Sequence, residues 1–267
     1  MLKIGIEVPN PSRYLKHDVI DRVALEYNKS YRQASTNRAG FPVDIEHLID
    51  LLEIAMLWED IDEPEETLFL AKLSRYPQER ITINQRHSDL FDERPCVYAS
   101  ALGHEIGHKV LRHSDHPELN VAAPTLFSPD GQEPRCLHKS SWGQFGMTRE
   151  EVLKRQALVK EITKQALVNE QARRVISQLN SFHEPEWMFW QAEHFSRCLL
   201  IPKDRLLEEL ENARELGRWS GIYRLAERFG VSGPIMKGRL VKLGIIEIAK
   251  DGNPRHICTP RQESLFN

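Results

Sequence analysis

The chain has 267 residues, with 36 Lys and Arg against 39 Asp and Glu, so its formal net charge is only −3. This near-balance argues against a protein that coats nucleic acid over its whole surface, and it leaves room only for a local basic patch. A hydrophobic content of 40% and a charged content of 28% exclude a disordered chain and favour a soluble globular protein.

The sequence lacks the patterns of a membrane helix and of a signal peptide, and its cysteines are scattered. These features predict a cytoplasmic protein. No stretch approaches the roughly 18 uncharged apolar residues that a membrane helix needs. The N-terminal segment lacks a sustained apolar run and Glu7 interrupts it, so we expect no signal peptide. The cysteines form no Cys-x-x-Cys pair, and we expect reduced thiols at Cys96, Cys136, Cys198 and Cys258.

Hydrophobic periodicity divides the first third of the chain into helices and strands. It predicts helices over residues 16–35 and 44–58. Residues 68–84 contain two predicted strands, and one of them, Arg80–Asn84 (RITIN), alternates apolar and polar residues. A charged loop is then predicted over residues 85–95.

Helices are also predicted in the rest of the chain. The first covers residues 97–113, and a proline- and glycine-rich stretch follows it. Thr148 and Glu151 form a capping-box pattern that opens an amphipathic helix over 148–179. Another helix is predicted over 186–200, followed by short helices over 203–246 and a strand-like tail.

The predicted 97–113 helix carries the strongest chemical signal, the sequence His-Glu-Ile-Gly-His at positions 104–108. Histidines four residues apart lie on one helix face, so His104 and His108 can reach a single ion. Glu105 then projects beside that ion, where it can take a proton from a metal-bound water. The spacing indicates a catalytic zinc site with two histidine ligands and a glutamate base.

A catalytic zinc usually has three protein ligands, and the third does not follow from the motif itself. His113 is predicted to lie too far along the helix, and Ser114 stands where the extended HExxHxxGxxH pattern requires a histidine. The third ligand is therefore expected elsewhere in the chain.

Three segments in this order carry a resemblance: GHEIGHKVL, WQAEHFSRCLLIPKDRL (190–206) and YRLAERFGVSGPIMKGRLVKLGII (223–246). Together they resemble the ImmA/IrrE family of metallopeptidases, over about residues 16–113 and 183–246. The resemblance implies a zinc-dependent, gluzincin-like endopeptidase. Such enzymes cleave or inactivate repressor-type regulators of mobile elements, toxin–antitoxin operons or stress responses.

The resemblance assigns His104 and His108 as Zn²⁺ ligands and Glu105 as the general base. The family takes its third ligand, a glutamate, from a later helix, at a position that Phe189 occupies here, and phenylalanine cannot bind metal. Glu193, one turn later, is the favoured substitute, with Glu186 and His194 as further candidates. The alternative is an incomplete site in a degenerate family member.

Other histidines and one cysteine offer weaker candidates. Cys136 and His138 suggest a metal site, but two ligands alone are insufficient, and His138 is a further candidate for an electrophile near the scissile carbonyl. His113, His116 and His183 are predicted to be solvated.

Residues 221–245 match a helix-turn-helix pattern, in which Gly230 suits the turn and small or apolar residues face inward at Ala226, Val231, Ile235 and Leu240. Between Arg214 and Ile245 the sequence has seven Lys and Arg but only two Glu. This local basic excess permits DNA contact through 214–245. The favoured interpretation is that the module packs on the peptidase and helps to hold its regulator.

The sequence therefore predicts an α+β fold, namely a mainly helical zincin-like domain with a small β-sheet, followed by a helix-turn-helix-like module. The predicted boundaries are 1–113 and 183–213 for the peptidase domain, 114–182 for a long insertion, and 214–267 for the C-terminal module and tail. The predicted function is zinc-dependent cleavage of a repressor or antitoxin-type regulator. The alternative is a DNA-binding or partner-sequestering regulator with a degenerate site.

Overall fold

The computed structural model describes residues 15–35, 41–61, 69–74, 78–113, 186–211 and 216–257. Its helices are α1 His17–Ala34, α2 Ile45–Leu51, α3 Ser88–Glu93, α4 Pro95–Val110, α5 Glu186–Leu200, α6 Lys203–Glu211, α7 Trp219–Arg228 and α8 Gly233–Lys242. Its strands are β1 Ala55–Glu59, β2 Ala71–Ser74, β3 Arg80–Asn84, β4 Ile246–Ile248 and β5 Pro254–His256. The predicted α+β class, mostly helical with a small sheet, is confirmed. Within the described ranges, no helix combines the length and the apolar character that crossing a membrane requires.

The three-stranded sheet has the order β1-β3-β2. The central strand β3 runs parallel to β1, with Ala55 opposite Arg80, and antiparallel to β2, with Ala71 opposite Ile83. The two strands predicted within 68–84 are therefore confirmed. Because β3 lies in the middle, β2 forms one edge of the sheet as the structure describes it.

The predicted helix over 44–58 is wrong in its second half. The helix α2 begins with Asp44, whose side chain accepts a hydrogen bond from the backbone N–H of His47, and it ends at Leu51. Glu53 then takes a left-handed conformation (φ 55°), and residues 55–59 continue as β1. Periodicity within the segment could not reveal β1, because its pairing partner β3 lies some 25 residues further along.

The predicted loop over 85–95 also differs from the structure. It contains a short 3₁₀ turn, Gln85–His87, and then α3. The side chain of Asn84 accepts a hydrogen bond from the backbone N–H of Arg86, which stabilises the turn as the strand ends. The helix predicted over 97–113 is confirmed as α4, although it ends at Val110.

The helices α4 and α5 pack closely because α4 carries glycines where the two backbones meet. A Cβ atom at Gly107 would lie 2.9 Å from the carbonyl oxygen of Ala192, and one at Gly103 would lie 2.6 Å from the Oγ of Ser196. The glycine within the His-Glu-Ile-Gly-His motif thus lets α5 approach the histidine-bearing helix.

The C-terminal helices α7 and α8 are joined by residues 229–232, with Gly230 in the left-handed region at φ 64°. The residues predicted to face inward here are buried, namely Ala226, Val231, Ile235 and Leu240. Phe229 stacks on Phe41 with ring centroids 4.3 Å apart, so this segment packs directly on the N-terminal part of the chain. An antiparallel pair, β4 and β5, follows.

One residue counted in the basic excess does not lie on the surface. The side chain of Arg239 is only 1% exposed and pairs with Asp21. It therefore contributes nothing to a nucleic-acid-facing surface. Several predictions lie outside the described residues: the insertion 114–182 with its helix 148–179, and the side chains of Cys136, His138, His116 and His183.

Candidate metal centre

The two motif histidines point their Nε2 atoms at each other. His104 and His108 lie one turn apart on α4, both are buried, and the two Nε2 atoms are 2.9 Å apart. Nitrogens bound tetrahedrally to zinc at about 2.0–2.1 Å are separated by roughly 3.3 Å. The two imidazoles are therefore within a few tenths of an ångström of a metal-binding separation.

Glu105 is fully buried on the same helix. Its Oε2 accepts a hydrogen bond of 2.9 Å from the backbone N–H of Leu73 on β2. A buried carboxylate is costly unless it is hydrogen-bonded or paired with a cation, and this bond meets part of that cost. Glu105 thereby joins the histidine-bearing helix to the edge strand of the sheet.

His113, which we predicted to be solvated, is fully buried in this site. Its Nδ1 lies 2.7 Å from Nδ1 of His108. The helix α4 ends at Val110, and Arg112 adopts a left-handed conformation (φ 56°). The chain therefore reverses after the helix and brings His113 back to His108, whereas a continuous helix would have carried it away.

Gln191 is a further site residue that the sequence reasoning missed. It lies on α5, it is fully buried, and its Oε1 is 3.1 Å from Nε2 of His113. The residue follows Trp190 in the 190–206 motif, but nothing in its immediate sequence distinguishes it from a solvated glutamine. Only the packing of α5 on α4 brings it to the histidines.

Glu193, the favoured third ligand, lies beside His104 but at the other ring nitrogen. Its Oε2 is 3.8 Å from Nδ1 of His104, and its Oε1 accepts a hydrogen bond of 3.0 Å from Arg197. In this conformation the carboxylate faces the ring edge that does not face His108. Its assignment as a zinc ligand stays a prediction.

Phe189, which occupies the position of the third ligand in the ImmA/IrrE family, lies next to the motif histidines. The ring of Phe189 is 4.9 Å from that of His104, measured between centroids. A carboxylate at that point of α5 would therefore be close to the histidines, as the resemblance implies. The side chain of Glu186, the other carboxylate candidate, lies outside the described residues.

His194, the remaining candidate, belongs to a different cluster. Its Nε2 lies 3.5 Å from Oδ1 of Asp21 and 3.6 Å from Sγ of Cys198. The thiol of Cys198 donates to the same Asp21 oxygen at 2.5 Å. These three donor atoms come from α1 and α5, and together they could hold a metal ion. Sequence spacing could not reveal them, because Asp21 and Cys198 are 177 residues apart.

A protein cation already lies against this second cluster. The Nη1 of Arg239 donates to Oδ1 of Asp21 at 2.7 Å and to Sγ of Cys198 at 3.1 Å. Burial raises the pKa of Asp21, but Arg239 and the hydrogen bonds outweigh it and hold that pKa below 3.8. Burial raises the pKa of Cys198 well above 9.0 and lowers the pKa of His194 to about 4, so both are neutral at pH 7.

The two clusters therefore differ in their chemistry. The cluster at Asp21 is balanced without a metal, since one carboxylate faces one guanidinium. The cluster at His104 and His108 offers two converging ring nitrogens beside a buried carboxylate, which is two of the three protein ligands that a catalytic zinc ion usually has. A scan against models of known protein families found no match, and no curated protein matches the chain. The similarity to the ImmA/IrrE family therefore rests on the motifs of the sequence alone.

Proposed function

We propose that this chain is a cytoplasmic zinc-dependent endopeptidase that cleaves or inactivates a regulatory protein. The observation that carries the proposal is the convergence of the His104 and His108 Nε2 atoms, 2.9 Å apart, next to the buried Glu105 on one helix. Buried titratable groups that meet in this way are typical of functional sites.

His104 and His108 would hold the zinc ion, and Glu193 is the candidate for a third ligand. A zinc ion held there would supply Lewis-acid polarisation of a peptide carbonyl and would make a water more acidic. Glu105 takes the proton of the attacking water and later delivers it to the departing amine. The hydrogen bond from Leu73 holds the carboxylate in one orientation for this transfer.

The peptide character of the substrate follows from the family resemblance. At the outer edge of β2, Ala71 is fully buried and the backbone N–H of Leu73 donates to Glu105, so this edge is not open to an added peptide strand in the described structure. The choice of a repressor or antitoxin-type regulator as substrate follows from the family resemblance.

The test combines metal content and cleavage. Purified wild-type protein should carry about one zinc ion, and it should cleave a helix-turn-helix repressor or antitoxin encoded next to its own gene. The Glu105→Gln variant should retain zinc but lose about 10²–10⁴-fold in cleavage rate, because only the base is removed. His108→Ala should lose both zinc and cleavage.

The matched control is Glu93→Gln, the same substitution at an exposed residue of α3. It should leave zinc content and cleavage unchanged. Wild-type protein that binds no zinc would sink the proposal. Full cleavage by Glu105→Gln would remove Glu105 from the role of base.

The second candidate function is a DNA-binding or partner-sequestering regulator with a degenerate site. The phenylalanine at position 189 and the helix-turn-helix pattern in the sequence of residues 221–245 favour it. Against DNA reading, Arg239 of α8 is buried, and a Cβ atom at Gly238 of the same helix would lie 3.6 Å from Nη1 of Arg197 on α5. We therefore favour a module that is part of the peptidase body.

A salt-dependent gel shift with operator DNA from the protein's own locus separates the two candidates. Specific binding that survives Glu105→Gln, with no cleavage of any neighbouring regulator, would favour the DNA-binding function. Failure to shift this DNA, together with zinc-dependent cleavage, supports the peptidase.

A further inference from the structure

Three buried imidazoles and one amide form a continuous hydrogen-bonded chain behind the proposed zinc site. Gln191 Oε1 lies 3.1 Å from His113 Nε2, and His113 Nδ1 lies 2.7 Å from His108 Nδ1. On the far side of its ring, His108 Nε2 lies 2.9 Å from His104 Nε2. Every ring nitrogen of His113 and His108 is thus engaged.

We call this series of hydrogen bonds the relay, and it determines which nitrogen of His108 carries the proton. The amide oxygen of Gln191 only accepts, so Nε2 of His113 must be the donor. A neutral imidazole has one N–H, which leaves Nδ1 of His113 as an acceptor. His108 must then donate from Nδ1, and its Nε2 bears a lone pair that points toward His104.

A histidine binds a metal only through an unprotonated nitrogen. The relay therefore holds His108 in its metal-binding tautomer before any ion binds. The Nε2 of His104 lies 2.9 Å from Nε2 of His108, so the two ring nitrogens meet where an ion would be held.

The relay also joins two parts of the fold. His113 follows α4 after the left-handed turn at Arg112, and Gln191 lies on α5, the helix that carries Glu193. The partner of His108 is a histidine backed by an amide rather than a carboxylate. It orients the ring without adding negative charge to the buried site.

We propose that His113 and Gln191 are positioning residues that fix the tautomer and orientation of His108 for metal binding. This inference rests on the proposed zinc site and adds to it. The two residues act through His108, and neither contacts substrate.

The first test measures zinc affinity on the full chain by competition with a chromophoric chelator at neutral pH. Gln191→Leu and His113→Phe should each weaken zinc binding about 10- to 100-fold, because metal-ligating histidines depend on their outer partners. Gln191→Glu keeps an acceptor at the same place and should bind zinc at least as tightly as wild type. His256→Gln, at an exposed histidine of β5, should change nothing.

The second test reads the tautomer itself in the metal-free protein, from ¹⁵N shifts of the imidazole rings. Wild-type His108 should be protonated at Nδ1, and Gln191→Leu should shift part of the population to Nε2–H. This measurement needs neither zinc nor a substrate, and it decides the inference even where His113→Phe does not fold.

The outcomes distinguish the two proposals. Wild-type zinc binding that Gln191→Leu leaves unchanged overturns the relay and leaves the peptidase in place. His108 found as the Nε2–H tautomer in the wild type also overturns the relay. A wild-type protein with the Nδ1–H tautomer but no zinc affinity supports the relay and contradicts the proposed function.

Discussion

The Nη1 atom of Arg239 lies 2.7 Å from Oδ1 of Asp21, although the two residues are 218 positions apart. Asp21 belongs to α1 and Arg239 to α8, so the pair fastens the C-terminal helices to the first helix of the chain. Arg239 is 1% exposed, and its guanidinium also contacts Cys198 on α5. This contact ties three helices together through one buried cation.

Breaking this pair should destabilise the protein. Arg239→Met keeps much of the side-chain volume but leaves Asp21 without its guanidinium, and removing one partner of a buried pair costs about 3–5 kcal/mol. Because Asp21 is partly exposed, we expect the lower end, about 3 kcal/mol, in urea-induced unfolding. Arg255→Met, at an exposed position on β5, should change the free energy by less than about 0.5 kcal/mol. Equal effects of the two substitutions would contradict this account.

The same pair predicts a loss of stability in acid. The pKa of Asp21 is lowered from 3.8 in the folded chain, so the folded state holds this proton less tightly than the unfolded state. Its contribution is fully present above pH 3.8 and is lost as the pH falls through the folded pKa. In Arg239→Met this contribution should disappear, and the dependence of unfolding free energy on pH below about 4 should become shallower. Chemical unfolding at several acid pH values measures this dependence. If the unfolding free energy of Arg239→Met falls with pH as steeply as that of wild type, the account of Asp21 is wrong.

Close packing of α4 on α5 predicts a cost for enlarging Gly107. A Cβ atom there would lie 2.9 Å from a backbone oxygen of Ala192, so α5 must move. Gly107→Ala should destabilise the fold by about 1–3 kcal/mol and weaken zinc binding, since α5 also carries Gln191. Gly217→Ala is the control, because its Cβ would meet no atom within 4 Å. A thermal melt and a zinc titration on both variants measure the difference.

Phe189→Glu should strengthen the metal site. The phenylalanine ring lies 4.9 Å from that of His104, so a carboxylate on this turn of α5 can reach an ion held by the two histidines. We expect zinc affinity to rise by about 10-fold or more, since ligand number strongly affects affinity. Phe189→Gln, with a similar size and no charge, is the control. A glutamate variant with wild-type affinity would show that α5 is not oriented toward the ion.

Cobalt should separate the two clusters spectroscopically. Because Arg239 already neutralises Asp21 and the Cys198 thiol is protonated, Co²⁺ should bind first at His104 and His108, without thiolate-to-metal absorption. Cys198→Ser should therefore leave the spectrum and the first equivalent unchanged, while His108→Ala abolishes it. An absorption band in the near ultraviolet that vanishes in Cys198→Ser would place the first ion at Asp21, His194 and Cys198 instead.

Local signals predicted the parts of the fold that depend on neighbouring residues. The helix α4 with its histidines, the strand β3 and the helix α5 follow from apolar spacing within one segment. The strand β1 does not, because Met56 and its neighbours meet their partner only through parallel pairing with β3. The left-handed turn at Arg112 is similarly invisible in the periodicity, so the burial of His113 was missed.

The sequence by itself determined the proposed chemistry: two histidines on one helix face, a consequence of the 3.6-residue repeat, with a glutamate directly after the first. Only the tertiary structure decided what surrounds them. It brought His113 and Gln191 behind His108, it turned His194 toward Asp21 and Cys198, and it buried Arg239. The reason is physical: these contacts join residues from different elements, and their distances are set by how closely α1, α4, α5 and α8 pack.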